Sequence, residues 1–291
     1  MSLVPGREFT GGEDPAHVAE YLIRYAGLSE EALQAIAALR VRAELRFSEA
    51  ALRLNLVTQA DIDAALSASR SLEPGRVARA SPDRRLTIAH DPFHPQAERI
   101  RALRTAVLLR QGEASAAEGS NVFAVVSSHH GEGRSRLAAE LAIACAQLNQ
   151  PTLLVDADLR RPTQHALFGV GNERGLANAL AETAAPNLHG VNGLPQLTLL
   201  TAGRPPANPL ELLAPDALGA LLVGWRRRYR HIIFDTPPAA SCSDALAVAT
   251  HAGVVLPLAR VDKTPLADWK LLIARLNSTR ARVLGGVLNR F

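Results

Sequence analysis

Aromatic side chains make up only 4% of the 291 residues. The interior therefore has to be built from Leu, Ala, Val and Ile rather than from stacked rings. Cysteine is nearly absent: Cys145 and Cys242 are the two, without CxxC spacing. That excludes a disulfide framework and leaves small buried or half-buried thiols in a reducing compartment as the reading. The stretch Met1 to Asp14 has no apolar run, so no secretory leader is expected. No segment approaches the ~18 uninterrupted apolar residues of a membrane span. The expectation is a cytoplasmic protein that reaches the inner membrane only peripherally, through a partner.

What is present is core-forming material. With 47% apolar and 21% charged residues the chain is globular rather than disordered, and its length suits about two domains. The net charge is +4 and the isoelectric point about 9.6, much of it from arginines such as Arg226, Arg227, Arg228 and Arg230. Such a run suits nucleic acid, acidic lipid or an acidic partner, but it is also the ordinary solvated end of a helix. The second reading is taken here, and no nucleic-acid partner is expected.

Residues 1–75 read as a small helical interaction domain. Val18, Leu22, Tyr25 and Leu28 share a helical face. Ser29-Glu30-Glu31 looks like a helix start, and Thr58 with Asp61 forms a capping-box pattern ahead of Ile62, Ala65 and Leu66. Residues 76–95 read as a linker, rich in Pro and Arg. Residues 96–291 read as one ATP-binding domain. A helix from Gln96 to about Arg110 opens it. Short apolar runs follow at Val122–Val126, Leu153–Val155, Leu197–Leu200, Ile232–Phe234, Val254–Leu258 and Val283–Leu288. Helical stretches separate most of them, notably Leu137–Leu148, Asp216–Arg228, Ser243–His251 and Pro265–Asn277. Brief apolar strands joined by helices predict an α/β fold, a P-loop NTPase with a mainly parallel sheet flanked by helices, plus the small N-terminal helical domain. Ligands are then expected at the carboxyl ends of the strands.

At the end of the first run stands Ser127-Ser128-His129-His130-Gly131-Glu132-Gly133-Arg134-Ser135-Arg136, with a helix starting at once. Binding phosphate needs a ring of backbone N–H groups aimed by a helix N-terminus. Gly131 and Gly133 allow the turn, and Ser135 sits where a P-loop hydroxyl meets Mg²⁺. Against the pattern G-x-x-x-x-G-K-[ST], Ser128 replaces the first Gly and Arg134 the Lys. Asp156 and Asp158 end the second run and Asp235 the fourth. Carboxylates at strand ends can reach a Mg²⁺ held over the loop or orient an attacking hydroxyl. Each can equally cap the next helix.

Taken together these residues resemble the bacterial tyrosine kinases of capsule and exopolysaccharide operons, a MinD-type P-loop family, over roughly residues 90–291. Ser128–Ser135 is similar to its Walker A, Leu153–Arg160 to its second Asp motif and Ile232–Pro238 to its Walker B. Further likeness lies in Glu98-x-x-Arg101-x-x-Arg104, Asn208-Pro209, Ser243-Asp244-Ala245, Arg260-x-x-Lys263-Thr264 and Val287-Leu288-Asn289. The resemblance is nearest to the soluble, chain-length-determinant-associated subgroup, in which Arg134 is a subgroup trait.

It implies ATP and Mg²⁺ as cofactors and a cradle of Ser128, His130, Gly131, Glu132, Gly133, Arg134, Ser135 and Arg136, with Asn289 near the adenine. Arg134, Asp156 and Asp158 would be catalytic, and Ser135, Asp156 and Asp235 would hold the metal. The implied partner is a membrane polysaccharide co-polymerase or chain-length determinant, and Glu98, Arg101 and Arg104 would mediate homo-oligomerisation. Arg136 stands where family members carry a small or aromatic residue, and the sequence ends at Phe291 without a Tyr-rich tail, leaving Tyr21, Tyr25 and Tyr229. Three readings follow: an autokinase controlling exopolysaccharide chain length, polymerisation or export; an ATP-dependent assembly switch of the same system with little phosphate transfer; and a ParA/MinD-type partitioning ATPase. The last expects a second lysine where His129 stands, and a C-terminal basic amphipathic helix.

Overall fold

A computed structural model of the chain describes residues 18–19, 22–23, 27–43, 45–62, 79–117, 121–182, 186–213 and 215–290. It divides into two compact units, 1–70 and 71–291. In the first, helices α1 (Glu30–Ala43) and α2 (Phe47–Arg53) close a core of Val18, Leu22, Leu28, Ile36, Phe47, Ala50, Ala51 and Ile62. Two sequence signals have a direct physical form here. The Ser29 hydroxyl accepts the Ala32 amide at 3.2 Å. Thr58 and Asp61 cap each other reciprocally, Thr58 N–H to Asp61 Oδ2 at 2.8 Å and Asp61 N–H to Thr58 Oγ1 at 3.2 Å. Tyr21, Tyr25, Ala65 and Leu66 lie outside the described residues.

The second unit, 71–291, takes in the stretch read as linker, and described residues of that stretch are packed against it. Ala80 donates to Gly190 O at 2.9 Å and accepts from Asn192 at 2.8 Å. A one-turn helix, α3 (Thr87–His90), follows, and Ala80, Leu86 and Ile88 are fully buried. Proline and arginine content marked the segment as a spacer, yet three apolar anchors suffice to fasten it. The long helix α4 runs Pro95–Ala117, a turn or two beyond the expected end.

Next come β1 (Asn121–Ser127), α5 (Arg134–Ala146), β2 (Thr152–Asp156), and two short helices, α6 (Gln164–Leu167) and α7 (Leu176–Leu180). Strands β3 (Leu188–Val191) and β4 (Leu194–Leu200) precede α8 (Pro209–Leu212) and α9 (Pro215–Arg228). The chain continues through β5 (His231–Asp235), α10 (Asp244–Ala252), β6 (Val254–Arg260), α11 (Leu266–Asn277), β7 (Arg282–Val283) and β8 (Val287–Asn289). The sheet order is β3-β4-β2-β5-β1-β6-β7, with β8 also on β6. Every pair is parallel except β3–β4. The sequence reading missed β3, whose His189 and Gly190 break the apolar pattern, and merged β7 with β8.

Period-two alternation sorts the strands onto two cores. On one face Ile232 and Phe234 join Leu153, Val155, Leu221 and Trp225, with the Trp225 and Phe234 rings 6.4 Å apart. On the other, Ile233 joins Phe123, Val125, Leu154, Leu141 and Ile143. Helix α5 is pressed between this face and helices α3 and α4, so even its Glu140 is buried. Each fully buried aliphatic side chain in these layers contributes about 1.5–3 kcal/mol. This packing fixes β1 between β5 and β6, so the loop after β1 lies between the ends of those two strands.

Candidate active site

The loop leaving β1 turns through two left-handed glycines, Gly131 (φ 72°) and Gly133 (φ 105°), before α5 begins at Arg134. A side chain is disfavoured at both, and at Gly131 a Cβ would also stand 2.8 Å from Lys263 Nζ. The loop is braced from outside. Glu132, fully buried, accepts the His129 amide at 2.7 Å and the Thr264 hydroxyl. Arg260 donates to Gly131 O at 2.9 Å and Asn289 to Glu132 O at 2.9 Å. His129 Nε2 meets Asp268 at 2.7 Å, and the Ser128 hydroxyl reaches Asp268 O at 3.3 Å. His130 stays exposed at the loop tip; partial burial and the nearby Arg161 and Arg134 lower its pKa.

Arg134 is buried and folded back on the loop. Its Nε donates to Thr236 O at 2.8 Å, and its Nη1 to His129 O at 2.7 Å and to Ser127 Oγ. Burial lowers its pKa, with Asp235, Asp158 and Glu132 pulling the other way.

Asp156 and Asp235 are direct register partners on β2 and β5, and both are fully buried. Their surroundings differ. Asp156 Oδ2 accepts the amides of Thr163 at 3.0 Å and Gln164 at 2.9 Å, and Oδ1 accepts that of Asp158 at 3.2 Å. It therefore spends its oxygens on the backbone of the segment that follows β2. Burial and the neighbouring Asp235 raise its pKa well above the usual carboxylate range. Asp235 Oδ2 accepts the Gln164 amide at 2.8 Å, while Oδ1 is buried with no hydrogen-bond partner. Burial pushes its pKa up to about 6, against the pull of Gln164, Ser135 and Arg134. Asp158, nearly buried, accepts the Arg161 amide at 2.9 Å, and burial raises its pKa too.

A buried carboxylate oxygen without a donor, beside the Ser135 hydroxyl, is a hard-oxygen pair that fits Mg²⁺, which takes one or two protein oxygens and completes its shell from phosphate and water. Gln164 ties the site together: its amide spans Asp235 and Ser135 O, the latter at 2.9 Å. Sequence reasoning missed it because a lone Gln eight residues past Asp156 matches no phosphate-site pattern. It also missed the bidentate pair Arg160–Asp244, at 2.8 and 3.1 Å.

Beside the loop, between α4, α5 and β8, opens a cleft of about 320 Å³. Ile100, Leu137, Leu258 and Val287 form apolar walls, and Arg136 and Glu140 a polar side, with Gly133 and Asn289 at the loop end. Arg136 thus lies beside the phosphate loop but faces the cleft. Of the helix set, Glu98 and Arg101 pair with each other at 3.1 Å. Arg104 instead points inward, donating to Ala144 O at 2.8 Å. Tyr229 is buried. Among the described residues no helix is long and apolar enough to cross a membrane.

No protein-family model matches the chain. The tyrosine-protein kinase etk of Escherichia coli K12 is 32% identical over 203 residues, 68% of this chain and 27% of etk. The CapB protein of Staphylococcus aureus is 29% identical over 69% of this chain and 87% of its own length. The chain thus spans about a quarter of the longer relatives, 26% of the ptk kinase of Acinetobacter johnsonii and 27% of etk. The solved kinase domain of E. coli ETK superposes with a TM-score of 0.63 at 30% identity, covering 70% of this chain and 79% of that one. MinD of Pyrococcus horikoshii with Mg-ADP, at 20% identity and a TM-score of 0.51 over 59% and 71% of the two chains, shares the fold.

Proposed function

Because the chain belongs to the bacterial tyrosine-protein kinase family, we propose that it is an ATP-dependent protein-tyrosine kinase that regulates exopolysaccharide chain length, polymerisation or export. The observation that carries this reading is the orphaned Asp235 Oδ1 beside Ser135, next to a loop whose backbone leads into α5. In this reading the loop amides from His130 to Ser135 bind the phosphates at the helix N-terminus. Arg134 contributes a fixed positive charge, and its planar fork bridges loop and phosphate differently from a lysine ammonium. Ser135 and Asp235 would hold Mg²⁺, which would supply neutralisation of the phosphate charge. Asp158, whose pKa burial raises, takes the tyrosine proton. Asp156 holds the segment that presents Asp158, through its three amide contacts.

The partner in this reading is the cytosolic part of a membrane polysaccharide co-polymerase, which places the protein at the inner membrane. Self-association runs through the exposed Glu98–Arg101 face of α4, with Arg104 setting the helix against α5. Replacing Arg101 by Ala then lowers the oligomer mass seen by light scattering, and an unchanged mass sinks that assignment. The test of the kinase is phosphotyrosine formation by the full chain with ATP·Mg²⁺, with and without the co-polymerase segment, against Asp158→Asn and Asp235→Asn. Signal lost in both variants supports it. ATP binding without phosphotyrosine under every condition moves the assignment to an assembly switch. Two observations favour that second reading: Arg134 already has three protein acceptors, Thr236 O after β5, Ser127 Oγ at the end of β1 and His129 O in the loop, and Tyr229 is buried.

A further inference from the structure

Arg136 is the first residue of α5 past the phosphate-loop serine, and its side chain is 32% exposed. It is held in one plane from one edge. Nε and Nη2 both donate to Glu140 Oε1 at 3.3 Å, and Nη2 reaches Thr87 Oγ1 at 3.4 Å. Glu140 is itself fixed: its side chain is 3% exposed, and the Gln96 amide contacts both its oxygens at 3.3 Å. A carboxylate buried in the wall of this cleft needs a reason, since burial disfavours its charge. Burial accordingly raises its pKa. Holding a guanidinium supplies that reason. With Nε and Nη2 engaged at its edge, the guanidinium lines the 320 Å³ cleft together with Ile100, Leu137 and Val287. A planar cation beside the apolar Ile100, Leu137 and Val287, in a cleft that Arg99 and Arg290 also line and one residue past the serine that ends the phosphate loop, is a stacking surface for an aromatic ring.

We infer that Arg136, positioned by Glu140 and Thr87, is the platform on which the nucleobase of the bound nucleotide stacks, so that this arginine grips the base and not the phosphates. The inference rests on the nucleotide-binding reading of the loop. Glu140 is a positioning residue acting through Arg136.

The two roles open to Arg136 separate cleanly by chemistry. A phosphate contact needs charge, which Lys retains. A base contact needs a plane, which Tyr retains. The test is calorimetric titration of ADP·Mg²⁺ and of inorganic tripolyphosphate·Mg²⁺ into the full chain and into Arg136→Ala, Arg136→Lys, Arg136→Tyr and Glu140→Gln. Thermal unfolding, and the double variant Arg136→Ala/Glu140→Gln, control for the unpaired carboxylate. The expected result is that Ala and Lys bind ADP about five- to tenfold more weakly, while Tyr recovers most of the loss. Tripolyphosphate binding stays within about twofold throughout, and Glu140→Gln falls between wild type and Ala. Recovery by Lys, or a parallel loss of tripolyphosphate, overturns the inference. So does an Ala variant that binds ADP like wild type. A wild type that binds tripolyphosphate but gains nothing from the nucleoside removes the base platform and leaves the phosphate loop standing. A wild type that binds neither removes both.

Discussion

Strand β5 carries a titratable side chain at each end, and the two ends meet the same burial problem in opposite ways. His231 at the amino end is 1% exposed. Asn121 Nδ2 lies 3.1 Å from its Nδ1, and Gln150 Oε1 lies 2.5 Å from its Nε2. That is the hydrogen-bond set of a neutral imidazole, one nitrogen accepting and the other donating. Burial, with Arg230 and Arg104 nearby, lowers its pKa to about 4. Asp235 at the carboxyl end is equally buried, and burial raises its pKa to about 6. One of its oxygens has no partner, an arrangement that costs about 1–3 kcal/mol. The amino end of the sheet is closed by complementary side chains. The carboxyl end keeps an open valence, where an open α/β sheet places its ligands.

The sharpest way to break the comparison is Asp235→Asn. Removing a fully buried charge raised by roughly two pKa units should stabilise the metal-free protein by up to about 3 kcal/mol near neutral pH. The same change should remove the Mg²⁺-dependent part of ADP affinity, about a hundredfold. Urea unfolding and titrations with and without Mg²⁺ measure the two effects. If stability falls together with affinity, Asp235 is a structural acid like its neighbour.

That neighbour provides the second test. Asp156 sits across the register from Asp235, but its oxygens serve three backbone amides. Asp156→Ala leaves those amides unpaired at about 1–3 kcal/mol each, and relieves one buried charge that repels Asp235. A net loss of about 2 kcal/mol is expected in denaturant unfolding. A variant as stable as wild type would mean the amides find other partners and that the two acids do not differ as described.

Gln164 sharpens the same contrast on a smaller scale. Its side-chain amide spans Ser135 O and Asp235 Oδ2, while its backbone N–H serves Asp156. Gln164→Leu keeps the backbone contact and removes the bridge, so about 1 kcal/mol of stability should be lost, and Mg²⁺·ADP affinity should drop severalfold. Affinity untouched by the change would place Gln164 outside the site.

Strand ends were legible because a short apolar run followed by Asp or a glycine loop has few other meanings. Ser127–Arg136, Asp156, Asp158 and Asp235 were therefore read as candidates from the sequence, and they stand at the turn from β1 into α5 and at the carboxyl ends of β2 and β5. What each acid does was not legible, because the difference between Asp156 and Asp235 lies in amides contributed by residues 158–164 after the chain folds back. The segment 79–94 was misread for a related reason. Its composition is that of a spacer, and only packing shows Ala80, Leu86 and Ile88 as anchors.

A pH-dependent effect bears most directly on the two ends of β5. A histidine with a lowered folded pKa contributes stability above its unfolded value near 6.5, and that stability is lost as the pH falls toward about 4. An aspartate with a raised folded pKa has the reverse sign. Its contribution is complete below the unfolded value near 3.8 and is lost as the pH rises through about 6. Between about pH 7 and about pH 5, His231→Gln should therefore gain about 2 kcal/mol relative to wild type, and Asp235→Asn should surrender about 1 kcal/mol of its advantage. Asp156 and Asp158, both raised by burial, share the sign of Asp235 and drop out of the His231 difference, whereas Asp235→Asn also relieves Asp156 of a neighbouring charge, which acts in the same direction as the loss of Asp235 itself. Stability curves at the two pH values, without Mg²⁺, give both differences. Movement in the same direction would mean that burial is not what sets the two ends apart.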